Sequence, residues 1–496
     1  MRPASERASD SDSLSTDESR RTRMSRMIGK TTVVALAGAL ALGGCASSKT
    51  KPDETAKEQK ADEVTPVGMV EEAPEAEKLA TKNGVTAYKI GGMTVLHKPT
   101  PANQVVSAKL YIDGGVANLT EETAGIEQLA LRLASNGGTL STPKDEFTSA
   151  LDSVGSSVSS FTGRDYSGYS LRTVVKHFDK SWGLFTEAVT EPAMPAGELK
   201  VQRKKQLASI EQLQENPNQY VSHIARKLMA GEEHPYRLEH MGTKENVEGF
   251  GRQELVDYHH ELMNPNRMLL VVVGDVPADD VIKKTRESLA RIEASEWERP
   301  ELGDFGVEKV ALDGATKKIP TNYILGLFPA PEPTAEDYYA MKVAMAHLSD
   351  RLFEEVRTKR NLSYAVASGI SSRRTNSGYL YVSAKEPNKT LKVMFDEVDK
   401  LKNETLDEKE LQRTRNVFLT EHYKDLETNS SQASNLAEAE LVEGDWKRYA
   451  KFLEQIKAVT PEDVKRVTKK YMKDYQFGVV GAPGSIKAGV IGMEKE

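Results

Sequence analysis

The sequence is poor in thiols and lacks the chemistry that thiols provide. Its 496 residues include a single cysteine, Cys45, and only 6% of them are aromatic. A lone cysteine excludes an intrachain disulfide and a cysteine-ligated metal centre. The formal net charge of −7 argues against a broad nucleic-acid-binding surface. No apolar run approaches the ~20 residues of a membrane-spanning helix, so we expect a chain that is not embedded in a bilayer.

The first 45 residues have the pattern of a bacterial lipoprotein signal. Basic residues precede a short apolar run at 31–42, which leads into Leu-Gly-Gly-Cys at 42–45. A basic segment, a short apolar segment and small residues before a cleavage point are typical of a secretory signal, and Leu-Gly-Gly-Cys is the lipobox. We therefore predict a signal peptide over 1–45, lipidation at Cys45 and a lipid-anchored location in the bacterial cell envelope. Outer membrane facing the periplasm is the expected site, with the inner membrane left open.

The remainder predicts a tether followed by two similar domains. Residues 46–81 are polar and charged without apolar periodicity, which indicates a disordered tether. About 410 residues follow, enough for two domains of ~200 residues each. Two segments, 254–277 and 462–483, both lead from an amphipathic helix into a β-branched strand, which favours an internal repeat. We place the first domain at 82–294, a linker at 295–308, the second domain at 309–485 and a tail at 486–496.

Each domain is expected to have an α+β fold. Short β-rich segments alternate with amphipathic helical segments in both halves. This alternation predicts an antiparallel sheet with helices packed mainly on one face in each domain.

One amphipathic helix is predicted within residues 123–139. Apolar residues recur there at helical spacing and two glycines end the run. Positions 128–132 read Gln-Leu-Ala-Leu-Arg. The setting resembles the first catalytic helix of the insulinase/pitrilysin family of zinc peptidases, which carries H-x-x-E-H at these five positions.

The resemblance extends over almost the whole of residues 82–484. It includes Asp-Gly-Gly at 113–115, Asn-Pro at 216–217, His-Pro-Tyr at 234–236 and Asn-Pro-Asn-Arg at 264–267 before a buried strand. No single one of these motifs is specific, but their order and spacing are similar to the two-domain, processing-peptidase-like members. The resemblance implies one half of a clam-shell built from two homologous domains.

The same resemblance implies that the zinc site is lost in this chain. The two histidines of the family motif are replaced by Gln128 and Arg132, and the glutamate that activates water is replaced by Leu131. The family's third ligand, a distant glutamate, corresponds by spacing to Ser209. Zinc prefers imidazole, thiolate and carboxylate ligands, so we expect no metal cofactor in this chain. The nine histidines show no alternative ligand spacing and are read as surface or core residues.

A second part of the family site is retained in the second half. The segment 349–364 is similar to the family sequence L-F-x-x-[IVL]-R-x-K-x-x-L-x-Y and supplies Phe353, Arg357 and Tyr364. In active members the matching Arg and Tyr bind the substrate backbone and stabilise the attacked carbonyl, which a guanidinium and a phenolic donor can do. We predict these catalytic roles in trans for Arg357 and Tyr364, and substrate contact for Phe353. The alternative is an arginine that closes a helix and a half-buried tyrosine.

Loss of one half of the site and retention of the other implies a divided enzyme. We expect the chain to be inactive alone and to act as the non-catalytic subunit of a periplasmic zinc endopeptidase. Its partners would be a family subunit with an intact H-x-x-E-H motif and zinc, an unfolded peptide substrate, and the membrane through a lipid anchor. The alternative is a peptide-binding or scaffold lipoprotein with no proteolytic role.

Overall fold

The computed structural model describes residues 64–493, which form two sheets with helices around them. The predicted signal peptide, the lipidation site Cys45 and the first half of the predicted tether, residues 46–63, lie outside the described residues. The first sheet has the strand order β1-β2-β3-β7-β4-β6-β5. Its strands are β1 (Ala76–Lys82), β2 (Val85–Ile90), β3 (Met93–Pro99), β4 (Val105–Asp113), β5 (Ser157–Thr162), β6 (Tyr166–Val174) and β7 (Met268–Gly274).

The second sheet repeats five neighbouring strands of the first, β3-β7-β4-β6-β5, and lacks a counterpart of β1 and β2. Its order is β10-β11-β9-β12-β8, and its strands are β8 (Ala311–Thr316), β9 (Asn322–Pro329), β10 (Val366–Ile370), β11 (Ser377–Ala384) and β12 (Gln476–Gly481). In the first sheet β7 pairs parallel to β3 and antiparallel to β4. In the second, β12 pairs parallel to β8 and antiparallel to β9. Both strands end the repeated segments found in the sequence, and the predicted two-domain α+β fold is confirmed.

Helices surround both sheets, and most of them cover one face of the sheet in their own half with the apolar stripes that their periodicity predicts. Those of the first half are α1 (Ile126–Asn136), α2 (Lys144–Asp152), α3 (Phe178–Thr190), α4 (Ala196–Glu215), α5 (Pro217–Ala230), α6 (Lys244–Gly249), α7 (Arg252–Leu262) and α8 (Ala278–Glu287). Those of the second half are α9 (Tyr338–Leu352), α10 (Pro387–Asn403), α11 (Glu408–Asp425), α12 (Asn429–Leu441), α13 (Phe452–Ala458) and α14 (Pro461–Tyr471). Side-chain caps fix several starts, such as Asn216 before α5 and Thr460 before α14.

The two halves exchange one helix each, and this exchange buries the second face of both sheets. In β7, Leu270 and Val272 face the core of the first half, whereas Val271 packs with Leu436 of α12. Helix α5 packs in the same way on β12 and β9 of the second sheet. Because both faces are covered, β7 is a continuous apolar strand with no polar alternation.

The folded part begins before the predicted domain boundary. The sequence predicts that residues 64–81 belong to the disordered tether. In the structure, Val64 and Val67 are buried in the core of the first half, and the Val67 N–H donates to Thr190 O at 2.8 Å. Strand β1 then pairs antiparallel with β2. The tether prediction is therefore wrong for residues 64–81. This polar segment adds an edge strand to the first sheet and covers part of its apolar core, and composition alone does not predict such contacts.

The predicted linker is tied to the first half by polar and ring contacts. Arg299 forms a 2.6 Å ion pair with Asp113, and the Arg267 guanidinium lies 3.7 Å from the centroid of the Trp297 ring. Phe305 packs on a small buried cluster from the first half. In the predicted tail, Ile491 is buried in the second core. Among residues 64–493, the helices are all too short or too polar to cross a membrane.

Candidate functional site

Helix α1 carries the positions of the family's zinc motif, and their side chains do not form a metal site. Gln128 is buried, and its amide nitrogen is 3.4 Å from Thr162 Oγ1. Leu131 is fully buried in the apolar core. Arg132 is partly buried, and burial lowers the pKa of its guanidinium. An amide, an alkyl chain and a cation therefore occupy the places of two imidazoles and a carboxylate.

The position of the third ligand lies on α4, which packs beside α1. The contact is made through Gln206, whose amide donates to Gly125 O at 3.0 Å and Met241 O at 2.9 Å. Ser209, one turn further along, donates its hydroxyl to Lys205 O at 3.0 Å. No hydrogen bond or ion pair joins Ser209 to the motif positions on α1 in the described part of the chain.

This set of side chains does not fit zinc. Neither a guanidinium nor an alkyl group donates an electron pair to a metal, and the positive charge of Arg132 repels a dication. Over residues 64–493, no group of three or more His, Cys, Asp or Glu side chains is arranged to hold a metal ion. That this chain binds no metal in solution stays a prediction. The chemistry of the side chains at the motif positions supports it.

Glu127 directly precedes the motif positions, and it is an acidic residue that the family motif does not single out. Its side chain is 1% exposed, and its two oxygens accept hydrogen bonds from the Gly115 N–H at 2.8 Å and the Tyr258 hydroxyl at 2.7 Å. Burial, followed by the charge of Glu127, raises the pKa of Tyr258. Glu127 thus serves the packing of α1 on α7, and it is not a replacement for the missing base.

Buried histidines have structural partners as well. His259 is fully buried, with Nε2 2.9 Å from the Tyr169 hydroxyl. Burial, and next the neighbouring His260, lowers the pKa of His259 to about 3, so this imidazole is neutral at pH 7.

The retained segment in the second half forms a compact, exposed stack. The Arg357 guanidinium lies 4.7 Å from the centroid of the Phe353 ring and 4.3 Å from that of Tyr364. Phe353 is 47% exposed and Tyr364 81% exposed. Large aromatic side chains are normally buried, so two exposed rings around a cation indicate an interaction surface. The structure therefore brings together the three residues that the sequence singles out here.

Local backbone geometry produces this stack. Residues Phe353–Thr358 form a π-helical turn at the end of α9, a geometry that recurs at functional sites. Asn361 then adopts a left-handed conformation with φ of 49°, which asparagine tolerates better than most residues. The chain reverses at this point, with the Leu362 N–H bonded to Val356 O at 2.9 Å, and Tyr364 returns to the Arg357 side chain.

Charged neighbours hold the turn but leave Arg357 free. Glu355 is bound by Lys359 at 2.7 Å and also by Arg360 and Arg351. Hydrogen bonds from Lys359 and Arg360 hold the pKa of the Glu355 carboxyl at about 2. Within residues 64–493, no hydrogen bond or ion pair engages the Arg357 guanidinium. Its five donors are available to a carbonyl or carboxylate from another molecule.

The two candidate regions are separate in this chain. The α1 positions belong to the core of the first half, and the stack lies at the end of α9 in the second. No hydrogen bond, ion pair or ring contact links them within the described residues. A single copy of the chain does not assemble both halves of one site.

Comparison with known proteins places the chain in a peptidase family. Residues 94–243 match the family model described as Insulinase (Peptidase family M16), and residues 249–418 match the one described as Peptidase M16 inactive domain. A curated relative from Bacillus subtilis, named as the uncharacterized zinc protease YmxG, is 23% identical over 408 residues, covering 80% of this chain and 97% of that protein.

Solved structures share the fold. The crystal structure of a peptidase M16 inactive domain from Pseudomonas fluorescens has a TM-score of 0.71 at 18% identity, covering 82% of this chain and 97% of that one. A protease from Helicobacter pylori has a TM-score of 0.69 at 20% identity, covering 82% and 99%. The chain belongs to the insulinase family of peptidases, M16, as a peptidase-like member with an inactive-type domain.

Proposed function

We propose that the chain is the non-catalytic subunit of a zinc endopeptidase, in which it presents Arg357 and Tyr364 to a partner's metal site. The observation that carries this proposal is the exposed stack of Arg357 between two aromatic rings, with its donors unused. An arginine kept only for stability would be expected to pair with a carboxylate or backbone carbonyl, as Arg360 does with Glu355. Loss of metal ligands at Gln128 and Arg132 on the same chain supports a division of roles.

The proposed chemistry is binding and charge stabilisation across the subunit interface. The partner, a family chain with intact H-x-x-E-H, would hold zinc and activate water. Arg357 would donate to the carbonyl oxygen of the scissile peptide as it gains negative charge, and the Tyr364 hydroxyl would donate beside it. Phe353 supports one face of the guanidinium and leaves its edge free to donate.

Reconstitution of the two subunits tests this function. The double variant Arg357→Ala, Tyr364→Ala should reduce kcat of the complex by at least ~10²-fold, the typical effect of removing oxyanion-stabilising donors. The matched control is Arg413→Ala, Tyr423→Ala, which removes an exposed arginine and a 61%-exposed tyrosine from α11. The control complex should keep its activity.

Two results would refute the proposal. Full activity of the complex containing the Arg357→Ala, Tyr364→Ala variant would show that the stack takes no part in the reaction. Stoichiometric zinc in the isolated chain, or chelator-sensitive cleavage by it, would show that the chain has its own catalytic centre. A stable complex that never cleaves peptides would favour the scaffold function instead.

The cell-envelope location is part of the same proposal. The support is the lipobox that ends in Cys45. The chain should incorporate labelled fatty acid and fractionate with membranes, and Cys45→Ala should abolish both properties. Soluble, unlabelled wild-type protein would contradict the lipid anchor.

A further inference from the structure

A cavity between the two halves collects arginines from three distant parts of the chain. It has a volume of about 300 Å³ and lies between α5, strands β9 and β11, and the linker residue Phe305. Arg164 reaches it from the β5–β6 turn, Arg226 from α5 and Arg373 from the β10–β11 turn. This cavity is separate from the stack around Arg357 and from the motif positions on α1.

Its positive charge exceeds the negative charge beside it. Glu239 lies 3.7 Å from Arg164, contacts Arg226 and is 2.7 Å from His223 Nδ1. Asp165 accepts the hydroxyl hydrogen bond of Tyr236. Arg373 has no ion-pair partner among residues 64–493. The carboxylates of Glu239 and Asp165 therefore lie beside three guanidiniums. The excess positive charge favours binding of an anion.

The arginines also affect one another across the cavity. Burial, and then the charges of Arg226 and Arg373, lowers the pKa of Arg164 to about 9. An electropositive, partly desolvated site binds a carboxylate more strongly than an exposed arginine does, because solvent screens the charges less. Arg164 itself is fixed by hydrogen bonds to Tyr236 O at 2.8 Å and Leu238 O at 3.2 Å.

The cavity also has apolar side chains in its wall. Met229, Leu325, Leu327, Tyr379 and the linker residue Phe305 all line it. The volume is at the lower end of the ~300–1,000 Å³ of small-ligand pockets, so the cavity suits a residue or two and not a folded domain. A bare phosphate would leave this apolar wall without contacts.

We propose that this cavity binds the C-terminal residue of a peptide, with the α-carboxylate on Arg373 and Arg226 and an apolar side chain against Leu325, Leu327 and Met229. Arg164 lines the same cavity and adds to its positive charge. The ligand class is thus a peptide with a free carboxylate and a C-terminal aliphatic or aromatic residue. The proposal concerns binding by this chain alone and does not rest on the proposed catalytic partnership.

Binding of labelled peptides to the purified chain tests this site. An N-terminally labelled hexapeptide that ends in leucine as the free acid should bind at least ~10-fold more tightly than its C-terminal amide, since a hydrogen-bonded charge pair is lost in the amide. The free acid ending in glycine should bind more weakly than the one ending in leucine. This test uses the isolated chain, whereas the test of the proposed function measures kcat of the reconstituted complex, so either can fail without the other.

Two variants at the cavity make the test specific. Arg373→Gln should reduce binding of the free acid to that of the amide, and Arg413→Gln on the exposed face of α11 is the matched control. The turn that carries Arg373 is closed by a backbone bond from the Ser371 N–H to Ser377 O at 2.9 Å, so the substitution should not unfold it. Leu327→Glu should repel the carboxylate and abolish binding of the free acid.

Three outcomes would overturn the proposal. Equal affinity for the acid and the amide would show that no carboxylate is recognised. An acid preference that survives in both Arg373→Gln and Leu327→Glu would place recognition elsewhere. Inorganic phosphate that displaces the peptide at an equal concentration would show a site for a bare oxyanion.

Discussion

Replacement of Gly478 by alanine tests the helix exchange that joins the two halves. Gly478 lies in β12 beneath α5, and an added Cβ would stand 2.6 Å from Val221 O and 2.7 Å from Ala225 N. Backbone atoms of α5 cannot rotate away as a side chain does, so helix and sheet must separate by several tenths of an ångström. Overpacking of this kind costs about 1–3 kcal/mol. At 2–4 °C for each kcal/mol in large domains, the thermal midpoint should fall by about 2–12 °C.

Thermal unfolding followed by circular dichroism gives the measurement, with Gly183→Ala as control. Gly183 lies within α3, where an added Cβ meets no atom within 4 Å. Alanine is favoured over glycine in a helix by roughly 0.5–1 kcal/mol, so this midpoint should rise. A Gly478→Ala protein as stable as the wild type, beside a stabilised Gly183→Ala protein, would refute the seating of α5 on β12.

Three further predictions concern the core, the pH dependence and the metal. Leu436→Ala, at the contact of α12 with the first sheet, should lower the free energy of unfolding by about 2–5 kcal/mol, measured by urea denaturation, and Tyr423→Ala on the surface by less than ~0.5 kcal/mol. Because the folded pKa of His259 is lowered to about 3, the folded chain binds fewer protons than the unfolded one between pH 6.5 and 3. The free energy of unfolding should therefore decrease as the pH is lowered through that window, by up to about 1.4 kcal/mol per pH unit. His259→Gln should show a flatter pH dependence in urea titrations at several pH values. Finally, EDTA should leave the thermal midpoint of the wild-type chain unchanged, since Gln128 and Arg132 are not zinc ligands, and a chelator-dependent drop would contradict that reasoning.

Much of the candidate site could be predicted from residue types and spacing. The identity of Gln128, Leu131 and Arg132 decides the donor chemistry wherever the helix lies, because no fold turns a guanidinium into a zinc ligand. The resemblance of the segment 349–364 to the family sequence also predicts that Phe353, Arg357 and Tyr364 act at one site. Their stacking, however, depends on the π-helical turn and on the left-handed Asn361, and local periodicity does not specify either.

The sequence by itself determined the two-domain α+β plan, which follows from local periodicity and repeated segments. It also carried the family resemblance, which together with the chemistry of the residues implies the loss of the zinc ligands. Only the tertiary structure decided which helix covers which sheet, that residues 64–81 belong to the fold, and that Arg164, Arg226 and Arg373 share one cavity. The physical reason is that burial and charge proximity between distant segments arise from docking of whole elements, and a linear pattern carries the periodicity of each element but not its partner.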